Sequence, residues 1–185
     1  MNLPNKLTLL RMGMVPFFVF FLLADFVPHR YLFALLLFCA ASYTDHLDGK
    51  IARRDHLITN FGKLMDPLAD KILVMSALIC LVEQGLASSV AVVLVMAREF
   101  AITSIRLLAV EQGRVIAANN WGKAKTVSQM VAIILILLLQ YLAGFWPQIL
   151  EPVTLTGEVL IWISTFFAVV SGVIYLKDNW DVVKD

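Results

Sequence analysis

Six apolar stretches, joined by short polar connections, dominate the sequence. A helix needs about 20 mostly apolar residues to cross a bilayer. Of the 185 residues, 60% are hydrophobic and only 16% are charged, whereas soluble domains carry about 25% charged residues. The pattern therefore predicts an all-α integral membrane protein in which residues 1–185 form a single domain with six transmembrane helices. The apolar stretches cover residues 14–26 (extended backwards through 7–10), 31–43, 67–81, 88–110, 126–145 and 153–176.

The second and third stretches are short if only their apolar residues are counted. They reach spanning length only if residues 44–48 and 66–71 extend the two helices. Because these extensions contain aspartates, we expect the acidic residues to lie on helices near a membrane surface. At the start of the chain, residues 2–12 have leucines spaced along one face, which predicts an N-terminal interfacial helix.

Basic residues are unevenly distributed among the connections. Lysines and arginines gather before the first apolar stretch, between the second and third, between the fourth and fifth, and after the sixth. The other connections carry mainly acidic residues. By the positive-inside rule, both termini and the basic connections are expected to face the cytoplasm.

Four aspartates follow helical spacing around the second connection. Asp45 and Asp48 are three residues apart, and Asp66 and Asp70 are four apart, so each pair shares a helix face. Four carboxylates brought together near a membrane would repel one another unless a cation compensated them. Mg²⁺ and Mn²⁺ prefer oxygen ligands, and two such ions can clamp a phosphate between them. The aspartates therefore predict a divalent-metal site.

Small and basic residues accompany the aspartates. Gly49 and Gly62 would let a ligand approach the backbone closely, and Ala52 adds only a small side chain on the same helix face. The planar guanidinium of Arg53 could form paired hydrogen bonds with a phosphate.

Plainer interpretations of these residues stay open. Asp66 could cap a helix that begins at Pro67, and Gly49 could end the second helix. Arg53 and Arg54 could be anchors at the membrane surface.

The stretch TDHLDGKIARRDHLITNFGKLMDPLADK resembles the signature of the CDP-alcohol phosphotransferase family. That signature reads Asp, two residues, Asp-Gly, two residues, Ala-Arg, a spacer, Gly, three residues, Asp, three residues, Asp. The matching positions are Asp45, Asp48, Gly49, Ala52, Arg53, Gly62, Asp66 and Asp70. Softer similarities to bacterial members that use glycerol 3-phosphate lie in NLPNKLTLLR, FGKLMDPLADK, AREFAITSIRLLAVEQG and GKAKT.

The resemblance implies a reaction. Family members transfer a phosphatidyl or similar group from a CDP-linked donor to an alcohol and release CMP. Here it implies CDP-diacylglycerol as donor and sn-glycerol 3-phosphate as acceptor, with the active site at the cytoplasmic face of a bacterial cell membrane. It also implies a homodimer in contact with membrane lipid, and no nucleic acid is expected as a partner.

The resemblance also implies roles for the signature residues. The four aspartates are expected to hold two Mg²⁺ or Mn²⁺ ions, and Asp70 matches the position of the general base. A metal could instead acidify the acceptor hydroxyl and leave Asp70 to orient it. The CDP pocket is expected to be lined by Asp48, Gly49, Ala52, Arg53 and Gly62.

An acceptor that carries a phosphate needs cations to bind it. Arg98 and Arg106 lie eight residues apart on the fourth stretch, and Lys123 and Lys125 open the fifth. We expect these four residues to form the acceptor-phosphate pocket, although each could be a snorkelling anchor. Glu99 follows Arg98 directly, and adjacent residues of a helix point apart, so Glu99 is expected to point elsewhere.

Three polar residues near the N-terminus recur at every third position. Asn5, Thr8 and Arg11 could close the donor pocket from the interfacial helix or could simply contact lipid headgroups.

Two rival functions remain at this point, since a purely structural membrane protein would leave the acidic residues unexplained. One is a related enzyme with inositol phosphate, serine or phosphatidylglycerol as acceptor. The other is a divalent-cation transporter, although transporters usually place their binding groups near mid-membrane on broken helices.

Overall fold

The computed structural model describes residues 2–54, 59–114, 116 and 120–184. Within those ranges, the side chains of a few helical residues lie outside the description. These are His46, Asp48, Gly49, Lys50, Ala52, Arg53, Arg54, Asn60, Lys63, Leu64 and Pro147.

The described residues form helices and contain no β-strand. The helices are α1 (Leu3–Leu23), α2 (Arg30–Arg54), α3 (Asn60–Glu83), α4 (Ser89–Glu111), α5 (Asn120–Ala143), α6 (Leu150–Asp178) and α7 (Trp180–Val183), with a short 3-10 turn at Pro147–Ile149. Each predicted apolar stretch lies mainly on one of the first six helices. The predicted helical extensions at residues 44–48 and 66–71 are confirmed, because α2 and α3 run through them.

Three of the described helices, α1, α5 and α6, are long and apolar enough to cross a membrane. The helices α2, α3 and α4 have 25, 24 and 23 residues and carry charged residues along part of their length. The structure has one continuous helix over Leu3–Leu23, so the predicted interfacial segment is not a separate element from the span that follows it.

The core lies among the first six helices. It is built from residues spaced three or four apart, such as Phe18 and Leu22 on α1 and Phe38 and Ala41 on α2, all fully buried. The rings of Phe18 and Phe38 pack with their centroids 5.8 Å apart. Buried alanines at several contacts let the helix backbones approach closely, which is how helices associate inside a bilayer.

Packing joins elements that are far apart in sequence. The helix α1 packs against both α2 and α3, whereas α6 packs against α5 and α4. As a result, the first half of α1 lies against the aspartate-bearing parts of α2 and α3, and α6 backs the arginine-bearing part of α4.

Neighbouring phenylalanines on α1 provide a test of this packing. Phe18 is fully buried in the core, whereas Phe17 is 62% exposed on the outer face. Truncation of a buried phenylalanine costs about 3–5 kcal/mol in protein cores, which for a chain of this size corresponds to about 10 °C in Tm. We expect Phe18→Ala to lower the Tm of the detergent-solubilised protein by about that much, and Phe17→Ala to leave it nearly unchanged. Equal effects of the two substitutions would contradict the packing.

Candidate functional site

The first half of α1 presents a buried polar face. Asn5, Thr8 and Arg11 are 7%, 0% and 0% exposed, and their spacing of three places them along one side of the helix. The Arg11 guanidinium forms an ion pair with Asp45 on α2, with 2.6 Å between Nη1 and Oδ1. A fully buried arginine is costly unless it is paired. This face therefore belongs to the acidic site and is not a headgroup-contacting surface.

Two further hydrogen bonds join α1 to the start of α3. Thr8 Oγ1 donates to Asp66 Oδ1 at 2.6 Å. Thr59 Oγ1 donates to Asn5 Oδ1 at 3.0 Å and accepts from the Gly62 backbone N–H at 3.0 Å. Thr59, the N-cap of α3, is thus hydrogen-bonded to Asn5 on α1. The same helix holds Asp66 through Thr8.

Gly62, in the first turn of α3, lies close to α1. A Cβ atom at this position would stand 3.3 Å from Asn5 Oδ1 and 3.5 Å from Asp66 Oδ2. Any larger side chain would enter the space between Asn5 and the aspartate. The structure therefore gives Gly62 a packing role that also keeps one side of Asp66 open.

The observed helix ends exclude two of the plainer interpretations. The helix α3 begins at Asn60 with Thr59 as its N-cap, so Asp66 and Pro67 lie inside it and Asp66 does not cap a helix. The helix α2 continues through position 49 to Arg54, so Gly49 does not end it.

Three of the four aspartates have described side chains. Asp45 is paired with Arg11, Asp66 accepts from Thr8, and Asp70 lies within electrostatic range of Asp45 and Arg11. Among the side chains that the structure describes, no group of three or more His, Cys, Asp or Glu comes close enough to hold a metal ion. The side chains of Asp48, Ala52 and Arg53, and the surroundings of Gly49, lie outside the description.

The chemistry of the described donors suits a hard divalent cation. All of them are carboxylate oxygens, which Mg²⁺ and Mn²⁺ prefer. Thr8 uses only Oδ1 of Asp66, and Oδ2 lies on the side that Gly62 keeps open.

A second charged cluster lies on α4 and α5. Glu99 accepts from Arg98 and from Lys125, with 2.6 Å for each pair, and all three side chains are at most 12% exposed. The expectation that Glu99 points elsewhere is wrong. Its neighbour Arg98 has a side chain long enough to reach it, and Lys125 approaches it from α5. The cluster carries two cations and one carboxylate, so its formal charge is positive.

The arginine of this cluster is held from α6. Arg98 Nη2 donates to Ser171 Oγ at 2.6 Å. At the next residue, Gly172, a Cβ atom would stand 2.9 Å from Arg98 Cγ, which is too close for an unstrained contact. Sequence reasoning missed Glu99, Ser171 and Gly172. The only feature of the sequence that could have indicated them is that polar or small residues interrupt otherwise apolar helices.

The other two predicted acceptor residues lie apart from this cluster. Arg106 is exposed, donates from Nε to the Tyr175 hydroxyl at 3.2 Å and covers the Tyr175 ring at 5.5 Å. Lys123 is exposed at the start of α5. The structure thus joins Arg98 and Lys125 through Glu99, and the contacts it describes for Arg106 are with Tyr175.

Asp70 connects the two charged clusters. Its carboxyl interacts electrostatically with Asp45 and Arg11 and also with Lys125 and Glu99. The neighbouring Lys71 donates to the Thr103 hydroxyl, which ties α3 to α4. The described charges are thus mainly negative around Asp45 and Asp66 and net positive around Arg98, Glu99 and Lys125.

Comparisons with known proteins agree with this architecture. Residues 1–170 match the family model described as CDP-alcohol phosphatidyltransferase. A CDP-diacylglycerol–glycerol-3-phosphate 3-phosphatidyltransferase of Bacillus subtilis is 41% identical, over 99% of this chain and 97% of its own length. Proteins of the same name from Rickettsia bellii and Pseudomonas fluorescens are 34% and 31% identical, over 95% and 100% of this chain and 94% and 93% of their own lengths.

The Thr8–Asp66 hydrogen bond can be tested by an isosteric change. Thr8→Val removes a donor to a charged group, a loss of about 1.5–3 kcal/mol, and we expect the Tm to fall by about 5 °C. Thr8→Ser keeps the hydroxyl and should retain most of the wild-type Tm. A wild-type Tm for Thr8→Val together with a lowered Tm for Thr8→Ser would show that the methyl group and not the hydroxyl stabilises this contact.

Proposed function

Because the chain belongs to the CDP-alcohol phosphatidyltransferase family, we propose that it transfers a phosphatidyl group from CDP-diacylglycerol to sn-glycerol 3-phosphate and releases CMP. The names of its full-length relatives support both substrates. The observation that carries the acceptor assignment is the buried Arg98–Glu99–Lys125 cluster beside Asp70. A net positive site next to the proposed catalytic carboxylate suits an acceptor that carries its own phosphate.

The proposed membrane arrangement has six spans within a single domain over residues 1–185. A helix of 24 residues is about 36 Å long, enough to cross a hydrocarbon core of about 30 Å. The start of α1 would lie at the interface, with both termini and the aspartates on the cytoplasmic side of a bacterial cell membrane. This placement would leave the acyl chains of the donor in lipid while glycerol 3-phosphate arrives from the cytoplasm. A homodimer is proposed from the family likeness alone.

The proposed metal ligands are Asp45, Asp48, Asp66 and Asp70, with two Mg²⁺ or Mn²⁺ ions. When bound, the metal would neutralise charge on the donor pyrophosphate. The residues of α1 support this site: Arg11 fixes Asp45, and Thr8 fixes one oxygen of Asp66. The polar face of α1 therefore orients the carboxylates before any ligand binds.

The proposed donor pocket uses the signature residues between α2 and α3. Gly49, Ala52 and Gly62 leave room for the CDP moiety, and the Arg53 guanidinium offers paired N–H donors to the pyrophosphate. Asp48 would contact both the metal and the nucleotide, while Asn5 closes the pocket through its contact with Thr59.

The chemical step is a displacement at the phosphatidyl phosphorus. The acceptor hydroxyl oxygen forms a bond to that phosphorus, the bond to the CMP oxygen breaks, and CMP leaves with the electron pair. Asp70 takes the hydroxyl proton. Lys125 and Arg98 bind the acceptor phosphate. Because Lys125 interacts electrostatically with Asp70, this binding holds the acceptor hydroxyl near the Asp70 carboxylate. Arg106 and Lys123 would attract the acceptor from solution.

Release of CMP by the purified protein tests the proposed reaction. With CDP-diacylglycerol and Mg²⁺, we expect release with glycerol 3-phosphate and none with inositol phosphate, serine or phosphatidylglycerol. Asp70→Asn should lower the rate by about 10²–10⁴-fold because the proton acceptor is lost. Release with another acceptor would overturn the acceptor assignment, and no release with any acceptor from folded, metal-loaded protein would favour a transporter.

The packing of Gly172 against Arg98 predicts a substrate-selective defect. Gly172→Ala must displace the Arg98 side chain, and we expect the KM for glycerol 3-phosphate to rise on the order of tenfold. The KM for CDP-diacylglycerol should change little. Gly13→Ala is the matched control, because a Cβ atom at Gly13 meets nothing within 4 Å. An unchanged KM for glycerol 3-phosphate in Gly172→Ala would contradict the role of Arg98.

A further inference from the structure

A polar cavity of about 490 Å³ lies at the end of the helix bundle opposite the aspartates. We call it the distal cavity; its polar lining comprises Asp25, Arg30, Tyr31, Glu83, Gln84 and Gln140, together with Thr154. A neighbouring cavity of about 270 Å³ shares several of these residues. Gln140 lies fifteen residues after Lys125 on α5, which is about 22 Å along the helix. The distal cavity is therefore separate from the proposed catalytic site.

Gln140 lines the distal cavity and has a side-chain donor without a hydrogen-bond partner in the described part of the chain. The residue is only 5% exposed, and its Nε2 has no hydrogen-bond partner among the described residues. A buried donor left unpaired costs free energy, so such groups usually mark a missing partner. The terminal torsion of a glutamine is broad, and rotation about it can present Nε2 to the cavity. An oxygen acceptor in the cavity would satisfy it.

The opposite wall of the distal cavity is held by a chain of hydrogen bonds. Arg30 is paired with Asp25 and donates to the Tyr31 hydroxyl at 3.2 Å. That hydroxyl donates to Gln84 Oε1 at 2.6 Å, and Gln84 Nε2 donates to the Leu22 carbonyl at 2.9 Å. The guanidinium of Arg30 is thus held in place at the wall, as in a site that is formed before its ligand arrives.

The charges of the lining select the kind of ligand. One cation, Arg30, faces the cavity together with two carboxylates, Asp25 and Glu83. An isolated phosphate would meet a net negative lining. A group that carries a phosphate and an amine would find a donor for the first and a carboxylate for the second.

The surroundings of the distal cavity match the depth of lipid headgroups. The His29 ring packs against Tyr141 and Phe145 at 5.8 Å and 6.2 Å, and the nearby Trp146 is 52% exposed. Aromatic residues concentrate at membrane–water interfaces in this way. Leu23 and Leu150 add apolar surface to the same lining.

We propose that the distal cavity binds the headgroup of a phospholipid with a primary amine, phosphatidylethanolamine, from the leaflet opposite the proposed active site. The phosphate oxygens accept from Gln140 and Arg30, and the ammonium donates to Glu83. The volume of the cavity lies within the range of small-ligand sites, about 300–1,000 Å³. This binding goes beyond phosphatidyl transfer and does not depend on which acceptor the enzyme uses.

Native mass spectrometry of the delipidated full-length protein tests the proposal. The protein is titrated separately with phosphatidylethanolamine, phosphatidylglycerol, phosphatidylcholine and the soluble headgroup O-phosphoethanolamine. We expect one phosphatidylethanolamine to be retained more strongly than the other lipids. Gln140→Leu should weaken that retention by about tenfold, as for the loss of one hydrogen bond to a charged group. Gln148→Leu is the matched control, since Gln148 is exposed and is not part of the cavity lining.

A second variant keeps the test decisive if Gln140→Leu does not fold. Glu83 is exposed, so Glu83→Gln should fold, and we expect it to abolish the preference for phosphatidylethanolamine over phosphatidylcholine. Equal retention of all lipids by the wild type would overturn the proposal. So would tight binding of O-phosphoethanolamine alone, which would point to a free small molecule. Retention unchanged in a folded Gln140→Leu protein would also overturn the proposal, because the lipid would then be bound without Gln140.

Discussion

The ion pair between the buried Arg11 and the partly exposed Asp45 is the contact on which the assembly of the acidic site depends. A guanidinium with no exposed surface must have a partner, and its partner is one of the aspartates that would otherwise repel one another. The pair brings α1 against α2, and the hydrogen bonds of Thr8 and Asn5 then bring α1 against the start of α3. The first helix thus serves as the shared wall of a site whose signature residues all lie on the other two.

Asp70 lies near both the proposed metal site and the proposed acceptor site. It interacts electrostatically with Asp45, one of the carboxylates proposed to hold metal, and with Lys125 and Glu99 of the cluster proposed to hold the acceptor. Glu99 pairs with both cations, and Ser171 on α6 accepts a hydrogen bond from Arg98 Nη2. In the proposed reaction, donor and acceptor are therefore positioned by different helices, the donor by α2 and α3 and the acceptor by α4 and α5, with Asp70 near both.

The sequence predicted what depends on local pattern. Apolar runs located the helices, and the spacing of three predicted that Asn5, Thr8 and Arg11 share a face. The spacing did not predict that this face is buried, because burial depends on how α1 packs against α2 and α3. Glu99 was misplaced because the rule for adjacent residues ignores the reach of long side chains. Ser171 and Gly172 were missed since their partner, Arg98, is more than 70 residues away in the chain.

The position of bound metal tests the central claim most directly. Crystals of the protein grown with Mn²⁺ and CMP would be measured for anomalous scattering at the manganese absorption edge. The account predicts manganese peaks beside Asp45, Asp66 and Asp70, at the end of the bundle where Arg11 is buried. Manganese bound only elsewhere, for example near Asp25 and Glu83 at the distal cavity, would contradict it, because the aspartates would then need another explanation.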